Sequence, residues 1–142
     1  MPARKRTRVV VDVNVLVSEL ISADTGFVRG LFNKQKFTVL VSNTLLDEFQ
    51  HVTARLRMRK YFTKEEAARA QRRLIGLSEH VDADPPFPPI CRDSKDDYLL
   101  ALAKTGKADI LITGDMDLLI LKKHGKAAII KPLAFRKEYL NK

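Results

Sequence analysis

The sequence predicts an α/β protein, with a mainly parallel sheet layered between helices as α/β/α. Three observations carry this reading. Val9-Val10-Val11 and Ile110-Leu111-Ile112 are short, wholly aliphatic runs of the kind found in strands covered on both faces. Segments with apolar residues at helical spacing alternate with such runs, as βαβ units require. The 142 residues make one domain, whose core can bury about two-thirds of the unfolded chain's surface.

Arg8 to Val11 reads as the first strand. Asp12 ends it, and Asn14 is placed to cap an apolar helix from Val15 to Ile21. A second helix is expected over about Phe27 to Lys34, with Phe27, Val28, Leu31 and Phe32 on one face. Phe37 to Val41 forms the second strand. Ser42-Asn43-Thr44 then opens a long helix with the stripe Leu45, Leu46, Phe49, Val52 and Leu56. Thr63 caps a helix from Lys64 to Leu77. Four of the six prolines fall in Asp84-Pro85-Pro86-Phe87-Pro88-Pro89, so 84–90 is an extended connector. A helix from about Lys95 to Lys104, a strand Asp109 to Thr113, a short helix Met116 to Lys122, a strand Ala127 to Ile130 and a helical turn complete a single domain over 1–142.

Charge and composition narrow the function classes. Lys and Arg number 26 against 17 Asp and Glu, a formal net charge of +9. The cations gather in segment 1–7 with Arg4, Lys5 and Arg6, in the stretch from Arg55 to Arg73, and in the tail 122–142. Such patches suit nucleic acid or an acidic protein, and Arg55, Arg57 and Arg59 are the candidates to hold an RNA backbone; the plain alternative is a solvated helix face. The aromatic residues are too few and scattered for a base-stacking platform. One cysteine, Cys91, excludes an internal disulfide framework and a multi-cysteine metal site. No apolar run approaches the length that spans a bilayer, and no secretory apolar region follows the basic N-terminus, so a cytoplasmic protein without a membrane partner is expected.

The stretch from Glu79 to Asp97 is acid-rich against this basic background. In an open parallel sheet, sites form beyond the carboxyl ends of the strands. Asp12 follows the first strand directly, and Asp115 follows Ile110-Leu111-Ile112 after Thr113 and Gly114, so both belong at one edge. Asp96 and Asp97 begin a helix and Glu48 lies about one turn into another, where this fold can aim them at that edge. Carboxylates gathered there repel unless a cation lies between them or some are protonated. Hard oxygen ligands of this kind suit Mg²⁺ or Mn²⁺. Each acid also has a structural reading. Asp12 could cap a helix, although Asn14 already fills that place, and Asp115 could cap the next one. Thr44-Leu45-Leu46-Asp47 and Ser94-Lys95-Asp96-Asp97 fit the capping-box pattern, which accounts for Asp47 and competes for Asp97. Glu48 could be an ordinary exposed helical acid.

Four blocks resemble a known family. Val10-Val11-Asp12-Val13-Asn14-Val15-Leu16-Val17-Ser18 resembles the opening motif of the PIN-domain ribonucleases, with Val13 where a Thr is more usual. Val41-Ser42 followed by Leu45-Leu46-Asp47-Glu48-Phe49 is similar to their second motif. The run from Cys91 through Asp93, Ser94, Lys95, Asp96, Asp97 and Tyr98 to Ala103 resembles the third, and Ala108 to Leu119 the fourth. The nearest subgroup is the one described as toxin components of type II toxin–antitoxin pairs. The resemblance implies an endoribonuclease dependent on Mg²⁺ or Mn²⁺, with Asp12, Glu48, Asp97 and Asp115 as catalytic and metal-holding acids. Asp96, Asp93 and Asp117 are in reserve, and Asn14, Ser42 and Thr113 orient the acids. It implies RNA as substrate, a possible antitoxin as partner, and a homodimer. The alternatives are a structure-specific DNA nuclease, a silent RNA-binding module and a phospho-receiver-like signalling domain. The last needs a pair of acids after its first strand, where Asp12 stands alone.

Overall fold

The structure, a computed structural model, describes residues 5–22, 24–90 and 94–141. Arg4, Cys91 and Asp93, which entered the sequence reading, lie outside them. The chain runs through strand β1 (Thr7–Val11), helices α1 (Val13–Ile21) and α2 (Gly26–Leu31), β2 (Phe37–Val41) and α3 (Asn43–Thr53). A 3-10 turn (Leu56–Lys60) leads to α4 (Lys64–Leu77) and β3 (Glu79–His80). After the extended connector come a 3-10 turn (Ser94–Asp96), α5 (Asp97–Thr105), β4 (Ile110–Ile112) and α6 (Met116–Leu119). β5 (Lys123–His124), β6 (Ala127–Ile130), α7 (Pro132–Phe135) and a π-helical turn (Arg136–Leu140) follow.

The described strands form one six-stranded sheet in the order β3-β2-β1-β4-β6-β5, parallel except for the β5–β6 pair at one edge. Val9, Val10 and Val11 of the central strand are all buried, as are Ile110, Leu111 and Ile112 beside them. Both faces of the sheet are therefore covered by helices, which is why these strands read as unbroken aliphatic runs. β1 pairs with β2 on one side and β4 on the other, with Val11 opposite Ile112. Strand order reverses at β1, so the crevice between the carboxyl ends of β1 and β4 is the topological switch point.

Several local expectations give way to the structure. Asp12, not Asn14, is the N-cap of α1, its side chain accepting from the Asn14 N–H. Asp47 is not in a capping box: Ser42 caps α3 by accepting from the Leu45 N–H, which leaves Asp47 exposed on the second turn. Asp97 is the first residue of α5 and Asp96 its N-cap, so the proposed box starting at Ser94 does not form either. Leu56 drops out of the α3 stripe, because that helix ends at Thr53 and leaves Leu56 87% exposed. At α4, by contrast, Thr63 and Glu66 form a reciprocal capping box. The tiny strands β3 and β5 have no counterpart in the sequence reading.

Close packing holds α5 under the sheet. A Cβ on Gly106, at its C-terminus, would stand 2.7 Å from Leu40 Cδ1 and 3.0 Å from the Leu102 carbonyl oxygen. Arg8 of β1 reaches the same end, donating to the Gly106 carbonyl at 2.8 Å and pairing with Glu79 of β3. With its C-terminus fixed at the amino edge of the sheet, α5 presents its first turn to the carboxyl edge.

Candidate active site

Asp12 is the first residue beyond β1, and its N–H donates to the Ile112 carbonyl at 2.9 Å, extending the ladder by one bond. Thr113 occupies the equivalent place beyond β4, its N–H donating to the Ile130 carbonyl at 3.0 Å. The two side chains meet across the switch point. The Thr113 hydroxyl donates to Asp12 Oδ2 at 2.7 Å and accepts from the Asp115 N–H at 3.0 Å. One buried hydroxyl thus sets the positions of both strand-end acids. Asp115 in turn caps α6, accepting from the Asp117 N–H at 2.9 Å through Oδ1. Capping and membership of an acid cluster are not competing roles here, since each acid has a second oxygen.

Asp12 is 5% exposed. Burial pushes its pKa above the usual carboxylate range, against the hydrogen bonds from Thr113 and Asn14, which favour the charged form. The charges of Asp115 and Glu48 push it further in the same direction, which places both acids in its surroundings. Glu48 is half-buried on α3, whose start is fixed by the fully buried Ser42 cap. Asn14 is exposed at the start of α1, and its recorded contact with the cluster is through its backbone.

The third block divides its acids. Asp97 is 4% exposed and accepts from the Ile90 N–H at 3.4 Å, holding the end of the proline connector. Asp96, together with Asp12 and Glu48, acts on the phenol of Tyr98, whose pKa is raised first by burial and then by these three charges. Asp96 and Asp97 both begin α5, the helix that packs against β1 and α3. Sequence reasoning gave Tyr98 no role. An aromatic next to Leu99-Leu100 reads as core, and the available signal was a hydroxyl one residue beyond paired acids.

The donor set is all oxygen, one member is buried, and its neighbours repel it, which is the chemistry that favours a hard divalent cation. Among the described residues no three of these side chains already close on one point as a ligand shell. Mg²⁺ does not need one, since it keeps several waters and takes one or two carboxylates plus phosphate oxygens. The residues present fit such an ion.

The three arginines set down for RNA part company. Arg55 and Arg57 are exposed around the 3-10 turn. Arg59 turns inward, donating to the Thr53 carbonyl at the end of α3 and lying 5.5 Å from the centre of the Phe62 ring. Its guanidinium is thus engaged with the fold, whereas those of Arg55 and Arg57 lie on exposed residues.

Comparison with known proteins follows the same lines. Among proteins of curated function none matches the chain in sequence. The solved structure of VapBC2 from Rickettsia felis bound to a DNA fragment from their promoter is similar with a TM-score of 0.61 and 13% identity. The likeness covers 88% of this chain and 98% of that one. PAE2754 from Pyrobaculum aerophilum is similar with a TM-score of 0.62 and 16% identity, over 96% of this chain and 91% of that one. At such identities the likeness is one of fold. The family model described as PIN domain matches residues 8–117. With that span running from β1 through both strand-end acids, the chain belongs to the PIN-domain family, whose members are generally nucleases that typically use a divalent metal ion.

Proposed function

We propose that the protein is an endoribonuclease dependent on Mg²⁺ or Mn²⁺ and the toxin of a toxin–antitoxin pair. The observation that carries the reading is the Thr113 hydroxyl bridging buried Asp12 to the Asp115 loop at the switch point, where the charge of Glu48 also acts on Asp12. Asp12, Glu48, Asp97 and Asp115 would hold the ion, with Asp96, Asp93 and Asp117 in reserve. A bound divalent ion lowers the pKa of water and polarises the scissile phosphate. The chain's own part is positional. Thr113 fixes the Asp12 carboxylate, the Ser42 cap sets the α3 helix that carries Glu48, and burial keeps Asp12 out of competing hydration. Arg55 and Arg57 supply phosphate contacts of the kind that give salt-dependent affinity. The likeness to VapBC2, seen on promoter DNA, supports an antitoxin partner. A homodimer in the cytoplasm completes the reading. Among the described residues no helix is long and apolar enough to cross a membrane.

Matched RNA and DNA strands incubated with Mg²⁺, Mn²⁺ or chelator test it side by side. Cleavage of RNA that chelator abolishes is the expected result. Equal cleavage with and without chelator defeats the metal reading, and preferential cleavage of DNA defeats the ribonuclease one. A monomeric mass in sedimentation at micromolar concentration would count against the dimer.

A further inference from the structure

A cavity of about 480 Å³ opens where α5 ends. That helix is nine residues long, so roughly 13 Å of it separate the cavity from Asp97 at its start. Four cations line the cavity, Lys5, Arg8, Lys107 and Lys126, against one acid, Glu79. The acids nearby are already engaged. Glu79 takes the Arg8 guanidinium through both oxygens, and Asp109 accepts from Lys126 at 3.1 Å and from the Arg8 N–H at 2.8 Å. Among the described residues Lys5 and Lys107 form no ion pair. Two positive charges are thus left over at one concave place, where an anion would offset their repulsion. A helix C-terminus ordinarily disfavours an anion. Here the carbonyls of Leu102, Ala103 and Lys104 accept from the N–H groups of Gly106, Ala108 and Lys107, and that of Gly106 accepts from Arg8. Lys107 gives an independent sign. Its φ of 53° is left-handed, at the position after the helix cap where Gly or Asn is usual. Stability alone favours those residues; what Lys adds is a cation on the cavity. No phenyl or phenol ring lines it among the described residues, so charge is what it can recognise. We propose that this cavity binds a phosphate group, apart from the acid cluster, through Lys5 and Lys107 and the unused N–H groups of Arg8 and Lys126. The phosphate belongs to a nucleic-acid strand or to a free phosphate ester. Such binding holds whether or not the acid cluster cleaves RNA.

The test is made in chelator, so that no metal-dependent cleavage intervenes. Inorganic phosphate is titrated into isotope-labelled wild type and into the double variant Lys5→Ala with Lys107→Asn, with chloride at matched ionic strength as the blank. Asn adopts the left-handed conformation readily, so the double variant is expected to melt at or above the wild type without phosphate. In the wild type the amides at positions 106 and 107 should shift saturably with phosphate. The double variant should bind it about tenfold more weakly, the scale of one hydrogen bond between charged groups. Arg55→Ala with Arg57→Ala removes the same charge from outside the cavity and should bind phosphate as the wild type does. No saturable shift, the same shift with chloride, or an equal loss in the Arg55 and Arg57 variant overturns the proposal. A dinucleotide and a long oligoribonucleotide then distinguish the sources. A long strand bound more weakly by the double variant, with a flatter salt dependence, places a strand phosphate in the cavity. Unchanged affinity for RNA alongside the loss of phosphate binding assigns the cavity to free phosphate esters.

Discussion

The hydroxyl of Thr113 is fully buried and used in both directions, donating to Asp12 and accepting from the Asp115 N–H. Thr113→Val keeps the shape but leaves an acceptor and a donor unpaired, which costs about 1–3 kcal/mol. A lower urea midpoint at unchanged slope is the expected reading, with Thr113→Ser close to wild type. Asp12 behaves differently because its charge is itself a burden. Burial raises its folded pKa above the unfolded value, so the folded state binds the proton more readily. The sign follows by linkage: this group's contribution to stability is greatest at acid pH and is lost as pH rises from the ordinary carboxylate range through the raised folded pKa. Asn removes that cost and remains a good N-cap for the Asn14 N–H, although its amide must reverse the bond with Thr113. Asp12→Asn should therefore be inactive in cleavage yet melt at or above the metal-free wild type at pH 7, with the advantage shrinking towards pH 4. A clear loss of melting temperature at pH 7 would make capping its main role.

Elements here are joined by a few directed contacts. The end of α3 is closed by Arg59, whose guanidinium meets the Thr53 carbonyl and covers Phe62. Arg59→Ala strips a helix end of its donor and uncovers a ring, at a cost of about 1–2 kcal/mol. Arg55→Ala with Arg57→Ala touches neither contact. That pair should leave the melting temperature in place while weakening RNA binding and flattening its dependence on salt, because fewer counterions are released. Affinity measured over a salt series separates the two sets; equal salt slopes for wild type and the double variant would remove Arg55 and Arg57 from the RNA path. The C-terminal turn shows the same division. Arg136 belongs to the basic tail, yet it pairs with Glu19 at 3.3 Å and lies 5.3 Å from the Phe27 ring centre. Phe135 meanwhile packs edge-on to Phe27 and stacks with Tyr139. Part of the tail's charge is thereby committed to the fold.

Taken whole, the molecule sets a cluster of carboxylates against a net charge of +9. On the proposed reading, the positive surround favours approach of a polyanion, and a cation among the acids at the switch point would offset their repulsion of a phosphate. Metal binding to the folded site alone stabilises by linkage, by about 2.7 kcal/mol at a hundred times the Kd. Thermal melting should rise with added Mg²⁺ or Mn²⁺, and rise less in Asp12→Asn. Ca²⁺ binds the same oxygens but is larger and less exacting in geometry, so it should raise the melting temperature and support little cleavage. Melting curves that ignore all three ions would exclude a metal site formed by these acids.

By itself the sequence determined what depends on local pattern. Val9-Val10-Val11 and Ile110-Leu111-Ile112 could only be doubly covered strands, and β2, β6 and α4 fall on the predicted bounds because apolar period and caps coincide there. Asp12 and Asp115 were legible as strand-end neighbours, since a parallel sheet sends the carboxyl ends of its strands to one edge. Tertiary structure alone decided what depends on partners. β3 and β5 are two residues long and exist only through their pairing with β2 and β6. Ser42 and Asp12 won their caps over Thr44 and Asn14 because each strand ends where its neighbour's ladder stops. The sequence left Asp93, Asp96 and Asp97 in competition within a few residues. The packing of α5 buried Asp97 and brought the Ile90 N–H at the end of the connector to its carboxylate, because which face of a helix start is buried is set by what packs against it.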